Sequence, residues 1–526
     1  MKSSESTPVA ASNENSAPFS AMENSPAALQ ASRSLQRAQV LVLAALFSVP
    51  ALMCLHTANV TDADVWWHMR TGQWILEHRA IPQTDPFSSF GAGKPWAAYS
   101  WLFDLLVLQF FQRLGLAGLV AYSTGMVVGV TVVLHRLIRR LQANFSIAVL
   151  LTFAASFCLS RLYTPRSWWF TILFFALELD FLMQARKTGK MRELLWLPVI
   201  FALWANLHIQ FIDGLVLLAI ALAEAVLARW WTGIQTQLRL AWLIGVSAAC
   251  LLATLANPYG WSIYKVAFGL ASQSGVLSKV SELGAIPFRN LADFGVLLFA
   301  MAAAAVLARA RRFALFETAL LAFAVLVSFR SVRDVWVMMV AASAILASGL
   351  AGDQKNRLLL KASAAPFVAL LGGLVVFLGV RAQQVDNVHL RAQLAQVMPV
   401  RAVQEVKEKG LGGPLFNDYN WGGYLIWDLR LPVSIDERQN VYGDALIDRS
   451  VATWYAMPDW ASDPNLRKAN LVIGPVKEPL TQVLRMDPRF ELVFEDNLAA
   501  VFVARKASPV EPPPTASGAS AHAEGK

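Results

Sequence analysis

Charge is scarce in this sequence of 526 residues: Asp, Glu, Lys and Arg make up only 15% of it, whereas 56% of the residues are hydrophobic. A soluble domain of this length needs far more charge to cover its surface. The scarcity therefore excludes a soluble globular protein and, with repeated long apolar runs, indicates a polytopic α-helical membrane protein. Most cations lie in short loops between these runs, so the net charge of +9 does not indicate a nucleic-acid partner.

Cysteine is also sparse. The three cysteines, Cys54, Cys158 and Cys250, each lie inside an apolar run. This distribution excludes a disulfide framework and a cysteine-based zinc site. We expect all three thiols to be buried as small hydrophobic side chains.

Eleven apolar runs can be threaded through a bilayer in alternating directions. They are 38–55, 116–134, 145–159, 168–183, 194–205, 211–227, 240–256, 294–307, 314–327, 335–350 and 366–380. Alternate loops such as "HRLIRR" and "RKTGKMR" are rich in cations, so the positive-inside rule puts them and the N-terminus in the cytoplasm and the C-terminus outside. The short segment 101–111, "WLFDLLVLQFF", is predicted to be an interfacial helix instead of a span.

The sequence predicts four regions. Residues 1–35 form a disordered cytoplasmic tail and residues 508–526 a second disordered tail, because neither has much to bury. Residues 36–382 form the transmembrane domain, with a first outer loop at 57–115. Residues 383–507 form an extracytoplasmic soluble α/β domain, with strands at "PLFND", "PVSID", "NLVIG", "ELVFED" and "AAVFVAR" and a helix at "PVRAVQEVKEKG".

The first outer loop opens with "TDADVWWH", whose polar side chains are candidate catalytic residues. Asp64 and His68 are four residues apart and therefore share one face of a helix. A carboxylate beside an imidazole can orient it or act as a base. The alternatives are that Asp64 caps the helix that follows and that Asp62 is a solvated loop residue.

A second set of polar side chains falls at the predicted outer ends of other spans. Its members are Arg161, Arg166, Asn206, His208, Asp213, Arg330 and Arg333. Arg330 and Arg333 in "RSVR" are spaced to form a fork suited to a phosphate. The alternatives are snorkelling of Arg161 and Arg166 to lipid headgroups and packing of His208.

Further acids lie inside the predicted spans, where a charge costs about 3 kcal/mol or more at the helix centre. Glu178, Asp180 and Glu317 are near inner ends and are expected to reach water. Glu224 has no partner that the sequence identifies.

Together these features resemble bacterial members of the GT-C superfamily of integral-membrane glycosyltransferases. The motifs that carry the resemblance are "DADVWWHMRTGQWILEHRAIPQTDPFS", "LWANLH", "NPYG", "FNDYNWGGYLIW" and "DERQNVYG", and it covers nearly all of residues 38–507. It implies a multi-pass enzyme of the bacterial inner (plasma) membrane. Such an enzyme takes a sugar from a polyprenyl phosphate or pyrophosphate carrier and transfers it to a glycan, lipid or protein acceptor on the outer face.

The resemblance also implies roles for particular residues. The catalytic carboxylate of the family lies in the first outer loop, which points to Asp64 or Asp62. Cations at other outer span ends hold the carrier phosphate, and Arg330, Arg333, Arg161 and His208 match them. Many relatives carry an Asp-Glu pair where this chain has Asp-x-Asp-Val. No metal triad is evident in the sequence, so a divalent metal stays an open alternative, and no other cofactor is implied.

Two other classes of function compete with this interpretation. A transporter or flippase for a lipid or polar solute would use intramembrane acids such as Asp213 and Glu224, but no inverted repeat is evident. A non-catalytic scaffold would present the C-terminal domain. In that domain, Gly422 and Gly423 of "WGGY" permit either close approach of a ligand to a helix N-terminus or tight packing.

Overall fold

The computed structural model describes residues 26–231, 234, 236–272, 282–310, 314–350, 372–373, 375–377, 379–380 and 385–505. Residues 1–25 and 508–526 of the predicted tails, and most of the eleventh predicted span at 366–380, lie outside the described residues. Residues 26–35 belong to the first helix, which begins at Pro26, although the sequence predicts them to be part of a disordered tail.

The chain forms two compact units, each assembled from three segments. The first unit comprises residues 1–59, 117–256 and 282–386, and the second comprises residues 60–116, 257–281 and 387–526. The predicted first outer loop and the predicted C-terminal domain therefore belong to one unit, together with the segment that begins at "NPYG".

Helices account for most of both units. In chain order they are α1 (Pro26–Thr57), α2 (Asp64–His78), α3 (Trp101–Leu114), α4 (Leu116–Leu141), α5 (Phe145–Cys158), α6 (Trp168–Thr188), α7 (Leu197–Leu207), α8 (Phe211–Leu227), α9 (Leu240–Ala253), α10 (Ser262–Ser272), α11 (Leu291–Ala308), α12 (Leu315–Arg330), α13 (Val335–Gly349), α14 (Asn387–Leu394), α15 (Val400–Glu408), α16 (Gly422–Asp428), α17 (Gln439–Trp454), α18 (Pro464–Lys468) and α19 (Pro479–Leu484).

Six helical segments in the described part of the chain are long and apolar enough to cross a membrane. They are Gln36–Thr57, Leu116–Leu141, Phe145–Leu162, Trp168–Thr188, Leu291–Ala308 and Val332–Gly349. Each coincides with one of the eleven predicted spans. Large apolar side chains such as Leu150 and Leu298 are exposed on these helices, as expected of a surface that faces lipid.

Four other predicted spans form helices that are shorter than this length. Helix α7 has 11 residues, α8 has 17, α9 has 14 and α12 has 16. A straight helix needs about 20 residues to cross the hydrocarbon core. The number of spans and the direction of the chain through the membrane therefore stay predictions.

Local signals set several helix ends. Asn144 caps α5 by accepting hydrogen bonds from Ser146 and Ile147, and Gly189 ends α6 in the left-handed region with φ of 71°. A capping box of Asn290 and Asp293 starts α11. Helix α13 is buried on every face from Val335 to Ala347, so it is the core helix of the first unit.

Acids at one end of the first unit, including the buried Asp180 and Glu224, pair with arginines. Arg140 donates to Asp180 at 2.9 Å and to Glu193 at 2.7 and 2.8 Å. Arg186 forms bidentate bonds to Glu224 at 2.7 and 2.8 Å. Glu317 is a further partner of this arginine. The sequence identifies no partner for Glu224 because Arg186 is 38 residues away.

The second unit contains a four-stranded sheet. Strands β1 (Leu415–Asn417), β2 (Leu471–Pro475), β3 (Phe490–Glu495) and β4 (Ala499–Ala504) lie in the order β1-β2-β4-β3. The β1–β2 pair is parallel and the other two pairs are antiparallel. Four of the five predicted strands are thus present, whereas "PVSID" makes only a single bridge, from Val433 to Ser88 of the first loop.

Candidate functional site

Two arginines of the first unit converge on one carboxylate. Arg166 lies in the turn before α6, and Arg333 lies in the 3₁₀ turn Val332–Asp334 before α13. Arg166 Nη2 is 3.6 Å from Glu282 Oε2, and Arg333 Nη1 is 3.9 Å from Glu282 Oε1. The Arg166 guanidinium also lies over the Trp168 indole, 5.2 Å from the ring centroid. We call Arg166, Arg333 and Glu282 the arginine cluster.

His208, which follows the end of α7, lies within electrostatic reach of both arginines of the cluster. Its Nδ1 is 2.8 Å from Thr171 Oγ1, and Trp204 Nε1 donates a hydrogen bond to the same hydroxyl oxygen at 2.8 Å. Burial, and then the positive charges of Arg333 and Arg166, lower the pKa of His208 to about 3. The imidazole is therefore neutral near pH 7.

Two acidic side chains, Asp334 and Asp213, also lie near Arg333. Asp334, the neighbour of Arg333, accepts a hydrogen bond from Gln210 Nε2 at 2.7 Å. Asp213, in the first turn of α8, is within electrostatic reach of Asp334 and Arg333. Asp213 therefore lies near Arg333, and both belong to the polar set that the sequence predicts at the outer ends of the spans.

Several buried polar atoms beside the arginine cluster lack hydrogen-bond partners among the described residues. They are Trp168 Nε1, Ser331 Oγ and Arg333 Nε. Trp168 and Ser331 are each only 5% exposed. Buried donors are normally satisfied, so donors left over beside two cations suit an oxygen-rich anionic ligand.

The other predicted phosphate-binding residues have different environments. Arg161 pairs with Asp293 at the start of α11. Asn206 donates to two backbone carbonyl oxygens at 2.7 and 2.8 Å, which favours a packing role. Arg330, the last residue of α12, is exposed and has no ion-pair partner within the part of the chain that is described. The structure thus brings together Arg166, Arg333, His208 and Asp213, and it separates the environments of the two arginines of "RSVR".

The predicted catalytic acids belong to the second unit. Asp62 Oδ1 accepts a hydrogen bond from the Asp64 backbone amide at 3.0 Å, and Asp64 is the first residue of α2. Asp62 therefore makes the local turn contact that the sequence analysis assigns to Asp64. A carboxylate in the first turn of a helix is stabilised in its ionised form by the helix dipole.

His68 is held by a carboxylate of α3. Its Nδ1 is 2.5 Å from Asp104 Oδ1, and the two residues are 3% and 0% exposed. Its ring stacks on Trp67 with centroids 3.6 Å apart. Burial raises the pKa of Asp104 well above its usual range. The carboxylate that orients this imidazole therefore comes from the predicted interfacial helix, 36 residues further along the chain.

The "WGGY" glycines are sites of close packing. A Cβ on Gly422 would lie 2.3 Å from the carbonyl oxygen of Ile435, and a Cβ on Gly423 would lie 2.8 Å from that of Ala63. The Gly423 amide donates to Glu437 Oε2 at 3.0 Å. Of the two interpretations in the sequence analysis, these contacts favour tight packing. They also place Gly423 against the backbone of Ala63, the residue between Asp62 and Asp64.

A buried ion network joins the "DPFS" and "DERQNVYG" motifs. Arg438 donates to Asp85 at 2.6 Å and to Asp436 at 2.7 and 2.8 Å, and Tyr442 donates to Asp436. The three charged side chains are fully buried, and the guanidinium lies 4.7 Å from the ring centroid of Trp96. Every donor and acceptor pair here is intramolecular, so these motif residues hold the second unit together.

The "NPYG" motif forms the expected turn and also a tertiary contact. The Asn257 side chain accepts from the Tyr259 amide at 2.7 Å, and Gly260 has φ of 50°. The Tyr259 hydroxyl accepts from the Ala98 amide at 2.8 Å and donates to the Pro82 carbonyl at 3.0 Å. The motif therefore pins the first-loop backbone in the second unit.

Sequence reasoning missed several residues of these surroundings. They are Asp104, Thr171, Gln210, Glu282 and Asp334. Gln210 and Asp334 lie next to predicted site residues in "LHIQ" and "RSVRD", so their motifs contained a signal. The other three are identified only by the partners that the fold gives them.

No group of three or more His, Cys, Asp or Glu side chains that could hold a metal ion is present within the described ranges.

No family model matches the chain, and no curated protein matches it by sequence. The solved structures that are similar to it include the following two. One is the oligosaccharyltransferase of Archaeoglobus fulgidus in its apo form, with a TM-score of 0.46, 12% identity, and coverage of 83% of this chain and 70% of that one. The other is ArnT from Cupriavidus metallidurans bound to undecaprenyl phosphate, with a TM-score of 0.45, 14% identity, and coverage of 90% and 99%. At TM-scores below 0.5, neither likeness decides the function.

Proposed function

We propose that this protein is a membrane glycosyltransferase that uses a polyprenyl phosphate or pyrophosphate sugar donor, and that Arg166 and Arg333 bind the carrier phosphate. The observation that carries this proposal is the convergence of two guanidiniums on one carboxylate that they do not hydrogen-bond, since both separations exceed 3.5 Å. Guanidiniums match phosphate oxygens in geometry and charge. The buried donors Trp168 Nε1 and Ser331 Oγ supply further hydrogen bonds.

The chemistry of such a transfer fits these groups. The acceptor oxygen forms a bond to the anomeric carbon, the bond from that carbon to the carrier phosphate oxygen breaks, and the phosphate leaves with the electron pair. Negative charge therefore grows on the phosphate, where fixed cations stabilise the transition state more than the ground state.

His208 supports the phosphate site as a neutral group. The indole Nε1 of Trp204 is a donor only, so Thr171 Oγ1 accepts that hydrogen bond. Among the described residues, the acceptor for the Thr171 hydroxyl proton is His208 Nδ1. The imidazole proton then resides on Nε2. A neutral histidine fits beside two arginines because it adds no third positive charge.

We assign the base to Asp64 or Asp62, as the family resemblance implies, because a carboxylate can accept the proton of an acceptor hydroxyl. Asp64 is the first residue of α2. His68, buried against Asp104, positions α2 and α3 relative to each other. The acceptor is a hydroxyl of a glycan, lipid or protein on the outer face of a bacterial inner membrane, and a divalent metal stays open.

A binding experiment tests the phosphate assignment. Purified protein in detergent is titrated with farnesyl phosphate and farnesyl diphosphate, and the transfer of labelled sugar from polyprenyl-linked donors is followed in proteoliposomes. Arg166→Ala and Arg333→Ala should each weaken binding about 10- to 150-fold, because a hydrogen bond to a charged group contributes about 1.5–3 kcal/mol. Asp64→Asn should abolish transfer and leave farnesyl phosphate binding unchanged.

Two controls make the result specific. Arg309→Ala removes an exposed arginine of the same unit and should bind like the wild type. Arg330→Ala should cost less than Arg333→Ala, because Arg330 is exposed. Wild-type binding by both Arg166→Ala and Arg333→Ala would refute the phosphate site. If the wild type transfers no sugar but moves a lipid or polar solute across the bilayer, and this transport is lost on changing Asp213 or Glu224, the transporter is favoured.

A further inference from the structure

A glycine of the C-terminal region contacts the backbone that joins the two candidate bases, Asp62 and Asp64. The Gly423 amide donates a hydrogen bond to Glu437 Oε2 at 3.0 Å. A Cβ on Gly423 would lie 2.9 Å from the same carboxylate oxygen and 2.8 Å from the carbonyl oxygen of Ala63. The backbone of Gly423 therefore approaches both the Glu437 carboxylate and the peptide between the two acids.

Only glycine permits this approach. Helix α16 begins at Gly422, and a Cβ there would lie 2.3 Å from the carbonyl oxygen of Ile435. Gly422 thus contacts the segment that carries Glu437, whereas Gly423 contacts the segment that carries the candidate bases. Backbone atoms cannot swing aside as the end of a flexible side chain can, so a Cβ at either glycine forces a segment to move.

The backbone of Glu437 is anchored on both sides. Its neighbours Asp436 and Arg438 are 0% and 2% exposed, and the Arg438 amide donates to Asp436 Oδ1 at 2.9 Å. The Arg438 guanidinium also donates to Asp85 at 2.6 Å. Because a buried ion pair is costly to break, these neighbours hold the Glu437 backbone in place beside Gly423.

Aromatic packing holds the same end of α2 against α16. Trp66, two residues after Asp64, packs edge to face on Tyr424 with ring centroids 5.1 Å apart. Both rings are buried. Gly423 and Tyr424 thus contact successive parts of the segment 63–66, so a displacement of α16 also displaces the residues around Asp64.

We propose that Glu437 and Gly423 are positioning residues for the proposed base, because their hydrogen bond holds α16 against the Ala63 carbonyl and so fixes the placement of Asp62 and Asp64. This inference rests on the proposed function, since it takes the base to be one of these two aspartates. A base must lie about 2.6–3.2 Å from the oxygen whose proton it accepts. A misplacement of about 1 Å can slow a reaction about 100-fold.

Substitutions at Glu437 test the hydrogen bond. Glu437→Met removes the acceptor and should lower the kcat of sugar transfer about 10- to 100-fold. Binding of farnesyl phosphate should stay at the wild-type value, because Arg166 and Arg333 belong to the first unit. Glu437→Gln keeps an acceptor oxygen for the Gly423 amide and should restore kcat close to the wild-type value. Glu491→Met makes the same change at an exposed glutamate of β3 and should alter neither quantity.

A substitution at Gly423 tests the same contact from its other side. Gly423→Ala should also lower kcat about 10- to 100-fold and leave farnesyl phosphate binding unchanged. Gly412→Ala is the matched control, because a Cβ on Gly412 would meet nothing within 4 Å. Melting curves of every variant allow kcat to be expressed per folded molecule. If Gly423→Ala does not fold, the two variants of Glu437 still decide the outcome.

The outcomes separate this inference from the proposed function. Wild-type kcat in folded Glu437→Met would overturn the positioning role. Equal losses in Glu437→Met and Glu437→Gln would also overturn it, since the hydrogen bond would then not carry the effect. A loss of farnesyl phosphate binding as large as the loss of kcat would show that the contact supports the whole fold instead. Full transfer in both Asp62→Asn and Asp64→Asn would refute the proposed base itself, and the positioning role with it.

Discussion

The buried network around Arg438 makes the sharpest prediction for stability. Arg438 bonds Asp85 of the first loop and Asp436 of the C-terminal region, and all three side chains are fully buried. Replacing Arg438 with Met keeps much of the apolar stem but leaves two carboxylates buried without their cation. Breaking a buried ion pair by removing one partner costs about 3–5 kcal/mol.

The chain offers a matched control in Arg489. Both arginines bond an aspartate two residues earlier, Arg438 to Asp436 at 2.7 Å and Arg489 to Asp487 at 2.6 Å. The second pair is at the surface, with Arg489 40% exposed and Asp487 9% exposed. Surface pairs contribute about 0–1 kcal/mol, so Arg489→Met should be close to neutral.

Hydrogen–deuterium exchange of the detergent-solubilised protein measures both effects. The Ser89 amide bonds the Val433 carbonyl at 2.9 Å, and the Val433 amide bonds the Phe87 carbonyl at 3.1 Å, so these amides report on the contact that Arg438 stabilises. A loss of 3–5 kcal/mol corresponds to exchange that is about 100- to 4,000-fold faster.

Two results would refute this reasoning. Exchange at Ser89 and Val433 that stays within about threefold of the wild type in Arg438→Met would show that the network contributes little. A comparable acceleration in Arg489→Met, measured at the Phe490 amide that bonds the Asp487 carbonyl at 3.2 Å, would show that burial does not set the cost.

Three further predictions concern the first unit. Gly214→Ala should lower the melting temperature markedly, because a Cβ there would lie 2.7 Å from Glu178 Oε2. Glu178→Met should raise the melting temperature, with a gain of about 1–3 kcal/mol in the free energy of unfolding. The reason is that both carboxylate oxygens of Glu178 are buried without a hydrogen-bond partner among the described residues. The pKa of His208 is about 3 in the folded protein and about 6.5 in the unfolded protein. The stabilisation of the fold that comes from this difference is therefore complete above pH 6.5, and it decreases by about 1.4 kcal/mol for each pH unit below 6.5. His208→Asn should remove this part of the pH dependence.

The measurements for these three are melting curves in one detergent at several pH values. A Gly214→Ala variant as stable as the wild type would mean that the helices beside it move apart at no cost. A destabilised Glu178→Met would mean that the carboxyl has a ligand or partner. An unchanged pH slope in His208→Asn would mean that other groups cause the loss of stability in acid.

The sequence predicts a helix or a strand well where the pattern that indicates it lies entirely within that element. The run 168–183 predicts a span, and Trp168–Thr188 is long and apolar enough to be one. "PVRAVQEVKEKG" predicts a helix, and α15 is present at Val400–Glu408. "PVSID" does not form a strand. The Ser434 amide donates to the Asn417 side chain at 2.9 Å, so this amide is not available for the hydrogen bonds of a β-ladder.

The candidate site follows from the sequence only in part. Its polar residues stand out because charge is rare in apolar surroundings, and Arg166, Arg333 and His208 are found this way. Their carboxylate partner is not, because Glu282 is separated from Arg166 by more than a hundred residues. His68 shows the same limit, since the sequence suggests Asp64 as its neighbour while the fold supplies Asp104.

The sequence by itself determines that this chain is built of apolar helices with a strand-containing C-terminal region, because hydropathy and alternation are properties of consecutive residues. Only the tertiary structure decides which charge meets which. A helix turn brings residues three and four apart together, but ion pairs such as Arg166–Glu282 and Arg438–Asp85 depend on how distant segments pack. That packing is set by the shape of whole buried surfaces, and no short stretch of sequence contains it.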